Sequence, residues 1–541
     1  MYTVPNILKI IILLSTIVLI SIFLYYPAIQ VPGPTVTLLI TPNETTTTTV
    51  ATTTTTEAAR ASNETSINLE DEFTKQIKFI YKSEKEPEIV NETIIRISLK
   101  DEPEFAINSK RSCPIEEWNN VTTNSIPNEE LHKDWMSRKI GFQYKYLYNT
   151  APGVLAAFAY KDHIVVTLTA ETFYGKKVYC RYYDCRRREI PNQFESYVFP
   201  EATVFCARRP GAEYISISET LEKKAEYSVP IVPRINVKHF FTVCMATLYG
   251  SEPKFLQIAD FIEYYKLQGA TFFQIYLRNV SDYDRMLLDD YVRTGEVEII
   301  KMHDHFWRED FMWHHVQIND CHHRNKHFAK WTAVIDVDER IEMKGEIKTV
   351  GEYLDTITDP NIANLVFRVQ WVQKTEFSPA RYVDDAQLTN EMLFRKFTNT
   401  SQIGTIEMQP KCIIRPEKVG VMDIHNPQVM YQGIRNTYVE SNVGIVRHYR
   451  NVSPGSLGRR NVDRMNSHGP FMETHIAPWI EEKLTREILD RVNHVYNIKE
   501  ASCGEKQYVL WLHGLEAPCW RELVDQQKVQ LFDFKQFKPA S

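Results

Sequence analysis

The chain has 541 residues, with 63 Lys or Arg against 69 Asp or Glu, so its formal net charge is −6. Charged residues at 24% and the AVILMFWYC set at 43% are ordinary globular proportions. With 19 glycines and 26 prolines it is neither collagen-like nor wholly disordered, and without a basic excess nucleic acid is not expected as a partner. The length allows about three domains.

Residues 10–26 form an uncharged apolar run, extending back to Ile7 if Lys9 snorkels; a spanning helix needs about 20 such residues. Lys9 and the terminal amine precede the run, and no charge follows until Glu44. The positive-inside bias therefore predicts a cytosolic tail over 1–9, a signal-anchor helix over 10–26 and translocation of everything beyond. A cleaved signal peptide would have a shorter apolar region ending in small residues, whereas this run ends in Tyr25-Tyr26-Pro27.

The next stretch, 27–80, reads as a stem. Ten of the twelve residues from Thr45 to Thr56 are Thr, flanked by prolines, a composition that buries nothing apolar and suits an O-glycosylated stalk. N-glycosylation sequons occur at Asn43, Asn63, Asn91, Asn120, Asn279, Asn399 and Asn451. Tail, anchor, stem and body together form the layout of a single-pass type II Golgi membrane protein with its body in the lumen. Nine cysteines suit that oxidising compartment and leave one unpaired. Cys180 lies close to Cys185, and Cys503 and Cys519 fall near the C-terminus. Cys244, inside an apolar run, is expected to be a buried free thiol.

From 81 to 235 the text is strand-like. Residues 154–160 and 163–169 read as a hairpin turning at Lys161-Asp162, with further short strands over 178–183, 203–207 and 214–217. A β-rich domain is expected, bounded by Ser228-Val-Pro-Ile-Val-Pro233. The rhythm then changes to alternating strand and helix over 236–500. Strands are predicted at 240–248, 271–277, 297–300 and 331–335, and helices at 255–269, 281–294 and 314–328. Residues 501–541 read as a C-terminal extension. The fold class is thus α/β, a mostly parallel sheet with helices on both faces. Such sheets gather ligands at the carboxyl ends of their strands.

Asp336-Val337-Asp338-Glu339 stands at the carboxyl end of the fourth predicted strand. Residues i and i+2 of an extended segment point the same way, so the two aspartates can approach one divalent ion. Hard oxygen donors suit Mn²⁺ or Mg²⁺, which also bind phosphate oxygens. Asp282-Tyr283-Asp284 has the same spacing, but it opens a helix after Ser281, where acidic residues favour the dipole.

Several segments resemble glycosyltransferase family 92: Thr242-Val-Cys-Met-Ala-Thr-Leu-Tyr-Gly250, Tyr264-Tyr-Lys-Leu-Gln-Gly-Ala270, Asn319-Asp-Cys321 and Trp331-Thr-Ala-Val-Ile-Asp-Val-Asp-Glu339. Arg368-Val-Gln-Trp371, Lys411-Cys-Ile-Ile-Arg-Pro-Glu-Lys-Val419 with His425, and His448-Tyr-Arg450 complete the set. The resemblance covers about 240 to 480. It implies a GT-A fold and inverting transfer of a hexose, galactose from UDP-galactose, onto a glycan acceptor such as a fucosylated N-glycan core. Carried over by motif, Asp336 and Asp338 are the metal and diphosphate carboxylates, with Mn²⁺ or Mg²⁺ as cofactor. The accompanying histidine is His425 or His448, the former slightly preferred. Thr247 and Tyr249 close the first strand, where a uridine would rest. Glu376, Asp384 and Asp385 follow Trp371 in a loop and are candidates for the base that deprotonates the acceptor hydroxyl. One departure is Arg340, where family members often have an aromatic residue; it bears on donor choice. The alternative from another class is a membrane-tethered carbohydrate-binding protein whose transferase domain has lost activity.

Seven of the sixteen histidines lie between His303 and His327. His323 and His327 have i, i+4 metal spacing, but Arg324 stands where a zinc hydrolase motif has Glu. A partly exposed polar helix face is expected there. Neither a Gly-x-Ser-x-Gly nor a P-loop motif occurs.

Overall fold

A computed structural model describes residues 113–141, 153–169, 173–222, 227–304, 309–453 and 456–497, all within one of the chain's two compact units, Lys110–Ser541. The expected tail, anchor, stem and C-terminal extension, with Cys503 and Cys519, lie outside the described residues. Among the described residues no helix is long and apolar enough to cross a membrane.

In chain order, helix α1 (Glu129–Ser137) is followed by strands β1 (Val154–Ala159), β2 (Ile164–Leu168), β3 (Lys177–Tyr183), β4 (Glu189–Tyr197), β5 (Thr203–Cys206), β6 (Tyr214–Ser218) and β7 (Val229–Pro233). Then come β8 (His239–Leu248), α2 (Phe255–Leu267), β9 (Phe272–Leu277), α3 (Asp282–Arg293), β10 (Val297–Lys301), α4 (Trp313–Asn325) and β11 (Ala329–Ile335). The remainder is β12 (Glu339–Met343), α5 (Val350–Thr356), β13 (Ile362–Phe367), β14 (Val369–Lys374), α6 (Asp385–Glu391), α7 (Leu393–Lys396), β15 (Asn399–Thr400) and β16 (Lys411–Ile414). The last elements are β17 (Val419–Met422), β18 (Pro427–Met430), β19 (Arg435–Tyr438), β20 (Gly444–Asn451), α8 (Ser456–Asn466), β21 (Met472–Glu473) and α9 (Pro478–Tyr496).

The first seven strands form one sheet in the order β4-β3-β6-β7-β1-β2-β5, antiparallel except for the β1–β7 pair. The hairpin at Lys161-Asp162 is β1–β2, with Phe158 opposite Val165. Within the stretch expected to be a boundary, 228–233, Val229–Pro233 form β7, the last strand of this sheet in chain order. Its prolines donate nothing, but Ile231 supplies the N–H, to Glu213 O at 2.8 Å.

The second sheet runs β10-β9-β8-β11-β16-β13-β19. Its first four strands are parallel, and β16 enters antiparallel between β11 and β13. The apolar run of β8 is continuous because both of its faces are buried. Phe241, Val243 and Met245 share a core with Phe255, Ile258 and Phe261 of α2, while Cys244 faces Trp313, Val316 and Cys321 of α4. A third sheet, β12-β20-β14-β15-β21, continues from the end of β11.

Asp284 is a structural acid. It forms a capping box with Ser281 at the start of α3, and its Oδ1 accepts from Lys254 N at 2.9 Å and Phe255 N at 2.7 Å. It therefore also satisfies amides at the start of α2.

Two expectations are corrected here. The polar residues of α4 are not an exposed face: His322 and His323 are each 1% exposed. The helix packs against β2 as well as β8, and its polar side chains join the two parts. Asp320 accepts from Thr167 Oγ1 at 2.6 Å, Tyr276 Oη at 2.7 Å and Arg324 Nε at 2.8 Å. Cys244 is not a free thiol either. It is bonded to Cys321 across 77 residues, with Cα atoms 6.2 Å apart, and among the described residues the free cysteine is the buried Cys412. Cys180 pairs with Cys206 and Cys185 with Cys113.

Candidate active site

Strand β11 ends at Ile335, and the chain turns through Asp336, Val337 and Asp338 into β12. Glu339 N donates to Asp336 O at 3.1 Å, and Asp336 N donates to Glu339 Oε2 at 3.0 Å. Neighbouring elements fasten the same turn. Tyr449 N on β20 donates to Asp338 O at 2.8 Å. Tyr265 on α2 donates to Glu339 O at 3.3 Å and accepts from Ile341 N at 3.0 Å. Arg340 faces away from solvent, donates to Val337 O and Glu339 O at 2.8 and 2.9 Å, and pairs with buried Asp260 on α2 at 2.6 Å. Arg340, the departure that the sequence ties to donor choice, is a strut beneath the turn.

Sheet pairing brings distant residues to this turn. In the β12–β20 register Glu339 lies opposite His448. His448 Nε2 is 3.3 Å from Asp338 Oδ2, and its Nδ1 is 3.1 Å from Glu339 Oε1, the latter off hydrogen-bond alignment. From the first residue of β16, Lys411 Nζ reaches Asp336 Oδ2 at 2.9 Å and Glu339 Oε2 at 3.1 Å. His314 of α4 stands 3.8 Å from Asp336 Oδ1.

The electrostatics divide the three acids. Burial pushes every carboxyl up, but Lys411 and His314 hold Asp336 well below the usual range, and His448 holds Asp338 below it. Glu339 is raised because burial outweighs Lys411. Burial would lower His448, yet Asp338 and Glu339 raise it overall. Two ionised aspartates therefore face a cavity of about 480 Å³ at the carboxyl ends of β8 and β11, a size ordinary for a small-molecule site.

Of the residues singled out in the sequence, Thr247, Tyr249, Asp336, Asp338, His425 and His448 all line this cavity. Among the described residues Thr247 Oγ1 is buried without a partner, and Tyr249 is 46% exposed. His425 makes no ion pair with either aspartate among the described residues; burial lowers it to about 4. His448 is the histidine beside Asp338. The three base candidates are elsewhere. Asp384 caps α6 by accepting from Gln387 N at 2.7 Å. Asp385 accepts from Tyr382 and Asn493, Glu376 pairs with Lys396 at 2.7 Å, and none of the three lines the cavity. Among the described residues, the carboxylates that do line it besides the acidic turn are Glu252 and Asp310, paired with Lys374 and Arg278 respectively.

Lys411, His314, Phe311 and Arg450, all in the cavity wall, have no role legible from the sequence alone. The signal was partly present, since Lys411 and Arg450 belong to quoted motifs. Asn451 also lines the cavity, and its Oδ1 accepts from Ser453 N and Oγ. Unlike exposed Asn120, Asn279 and Asn399, it is poorly placed to carry a glycan.

Among the described residues, no group of three or more His, Cys, Asp or Glu side chains is arranged to hold a metal ion. The donors present still fit one kind of ion. Asp338 and His448 offer an oxygen and a nitrogen side by side, and Mg²⁺-like ions are commonly held by one or two protein groups with the rest supplied by water and substrate phosphates. Asp336 already has Lys411 on one oxygen.

Residues 239–484 match the family model Glycosyltransferase family 92, so the chain carries a glycosyltransferase family 92 domain. It is distantly homologous to the Caenorhabditis elegans protein named Beta-1,4-galactosyltransferase galt-1, at 26% identity over 198 residues. That alignment takes in 35% of this chain and 43% of the relative, less than half the relative's length. Among solved structures, HddC from Yersinia pseudotuberculosis aligns at 12% identity with a TM-score of 0.20, over 46% of this chain and 99% of that one. S. aureus TarS 1-349 aligns at 11% identity with a TM-score of 0.21, over 50% and 78%.

Proposed function

We propose that the protein is a GT-A, metal-dependent inverting glycosyltransferase. It transfers a hexose, galactose from UDP-galactose, in β-linkage to a glycan acceptor such as a fucosylated N-glycan core. The supporting observation is the acidic turn at the end of β11, with His448 beside Asp338 in a cavity inside the matched segment. On this reading Asp338 and His448 would hold Mn²⁺, which supplies positive charge against the donor's diphosphate. Lys411 neutralises Asp336 and Glu339, keeping the acidic turn folded. Thr247, near the end of β8, and exposed Tyr249, just beyond it, would lie against the nucleoside, the tyrosine ring offering a stacking face. The anchor and stem expected from the sequence place the body in the Golgi lumen.

The test is the purified full chain incubated with Mn²⁺, a panel of UDP-hexoses and fucosylated N-glycan acceptors, with released UDP measured. UDP-galactose is expected to turn over fastest, and EDTA to abolish turnover. No release with any donor and acceptor would favour the inactive carbohydrate-binding reading.

A further inference from the structure

We infer that Arg450 grips the diphosphate of the nucleotide-sugar donor and takes up the charge that develops on the leaving group. The inference rests on the transferase reading above and adds a residue to it. Among the described residues, the cavity wall carries four cationic side chains, Lys254, Lys374, Lys411 and Arg450. Three are already engaged inside the protein. Lys374 is ion-paired with Glu252, and Lys411 with Asp336 and Glu339. Lys254 Nζ donates to two backbone carbonyls, Gly250 O at 2.8 Å and Glu252 O at 2.6 Å.

Arg450 differs. Among the described residues it has no carboxylate partner, and its side-chain contacts are Asn461 Oδ1 and His448 Nε2, each at 3.4 Å. Both are longer than an ordinary N–H hydrogen bond of about 2.7–3.2 Å. Its position is nevertheless defined. Arg450 lies two residues beyond His448 on β20, so both side chains project from the same face of the strand. Asn461 is itself anchored, its Nδ2 donating to Asn451 O at 2.7 Å. A half-committed guanidinium thus stands next to the Asp338–His448 pair. Its planar fork matches two phosphate oxygens, which a lysine point charge does not.

The chemistry follows from that placement. In an inverting transfer the acceptor oxygen forms a bond to the anomeric carbon as the bond from that carbon to the β-phosphate oxygen breaks. The electron pair leaves with UDP, and the hydroxyl proton passes to a base. Charge therefore grows on the β-phosphate, and preformed N–H donors aimed there favour the transition state over the ground state.

Isothermal titration calorimetry of UDP and of uridine into the full chain, with Mn²⁺ and with EDTA, tests this. Arg450→Gln is expected to weaken UDP about 10- to 100-fold, the range for a lost charged hydrogen bond, in both buffers and without changing uridine affinity. Lys177→Gln, on the first sheet and outside the cavity, serves as the control with unchanged UDP affinity. If Arg450→Gln does not fold, Arg450→Met replaces it with the same expectation. Wild-type UDP affinity in either folded variant overturns the assignment of Arg450 and leaves the transferase reading standing. Failure of the wild-type chain to bind UDP in both buffers overturns that reading and the inference with it.

Discussion

Replacing Arg340 by Met examines how the acidic turn is held. Arg340 and Asp260 are each 2% exposed, and the guanidinium reaches Asp260 Oδ1 through Nε at 2.9 Å and Nη2 at 2.6 Å. Among the described residues Asp260 Oδ2 has no partner of its own, so Arg340→Met leaves a buried carboxylate with no compensating charge there. Removing one partner of such a pair costs about 3–5 kcal/mol. The carbonyls of Val337 and Glu339 lose their donor as well. Replacing both partners, Arg340→Met with Asp260→Leu, removes the stranded charge, so most of the loss is expected to return. Equilibrium urea unfolding at pH 7, followed by tryptophan fluorescence, measures both variants. A single-variant cost below about 1 kcal/mol, or a double variant no more stable than the single one, would refute the reasoning. The donor ranking of the folded double variant is expected to stay that of the wild type, because Arg340 does not reach the cavity.

Buried histidines set an acid limit. Burial, the largest cause in each case, lowers His132, His163, His315 and His322 to about 4. Between pH 6.5 and about 4 the unfolded chain binds protons that the folded one does not, so this stability is complete above pH 6.5 and lost as pH falls toward 4. One such group accounts for roughly 3 kcal/mol, and His322→Gln is expected to flatten the melting-temperature profile over that window; an unchanged profile contradicts the assignment. Serine at both Cys244 and Cys321 is expected to cost about 2–4 kcal/mol, measured by urea unfolding, and equal wild-type and variant midpoints would refute a structural disulfide. Asp338→Asn is expected to remove Mn²⁺-dependent UDP release while secretion stays normal. Retained turnover would move the metal site elsewhere.

The parallel strands were legible because local physics decides them. A run such as 240–248 is apolar at every position only if both faces are covered, and β8 is covered by α2 and α4. The acidic turn was legible for the same reason, since it follows a buried strand. What failed depends on packing between distant segments. Cys244 and Cys321 meet only once α4 lies on β8. The histidines of α4 look solvated until the first sheet covers them, a contact marked by the Thr167–Asp320 hydrogen bond. That His448, and not His425, lies beside Asp338 follows from the β12–β20 register, which no spacing in the sequence reveals. Glu376, Asp384 and Asp385 were grouped by chain proximity, yet the fold uses them as an ion-pair partner, a helix cap and a tether to α9.

The most direct measurement is a crystal structure of the protein with Mn²⁺ and UDP, the ion located by its anomalous scattering. The ion is expected at Asp338 and His448, beside the diphosphate, with Arg450 on a phosphate oxygen. Manganese held by other side chains, or UDP bound outside this cavity, would contradict it.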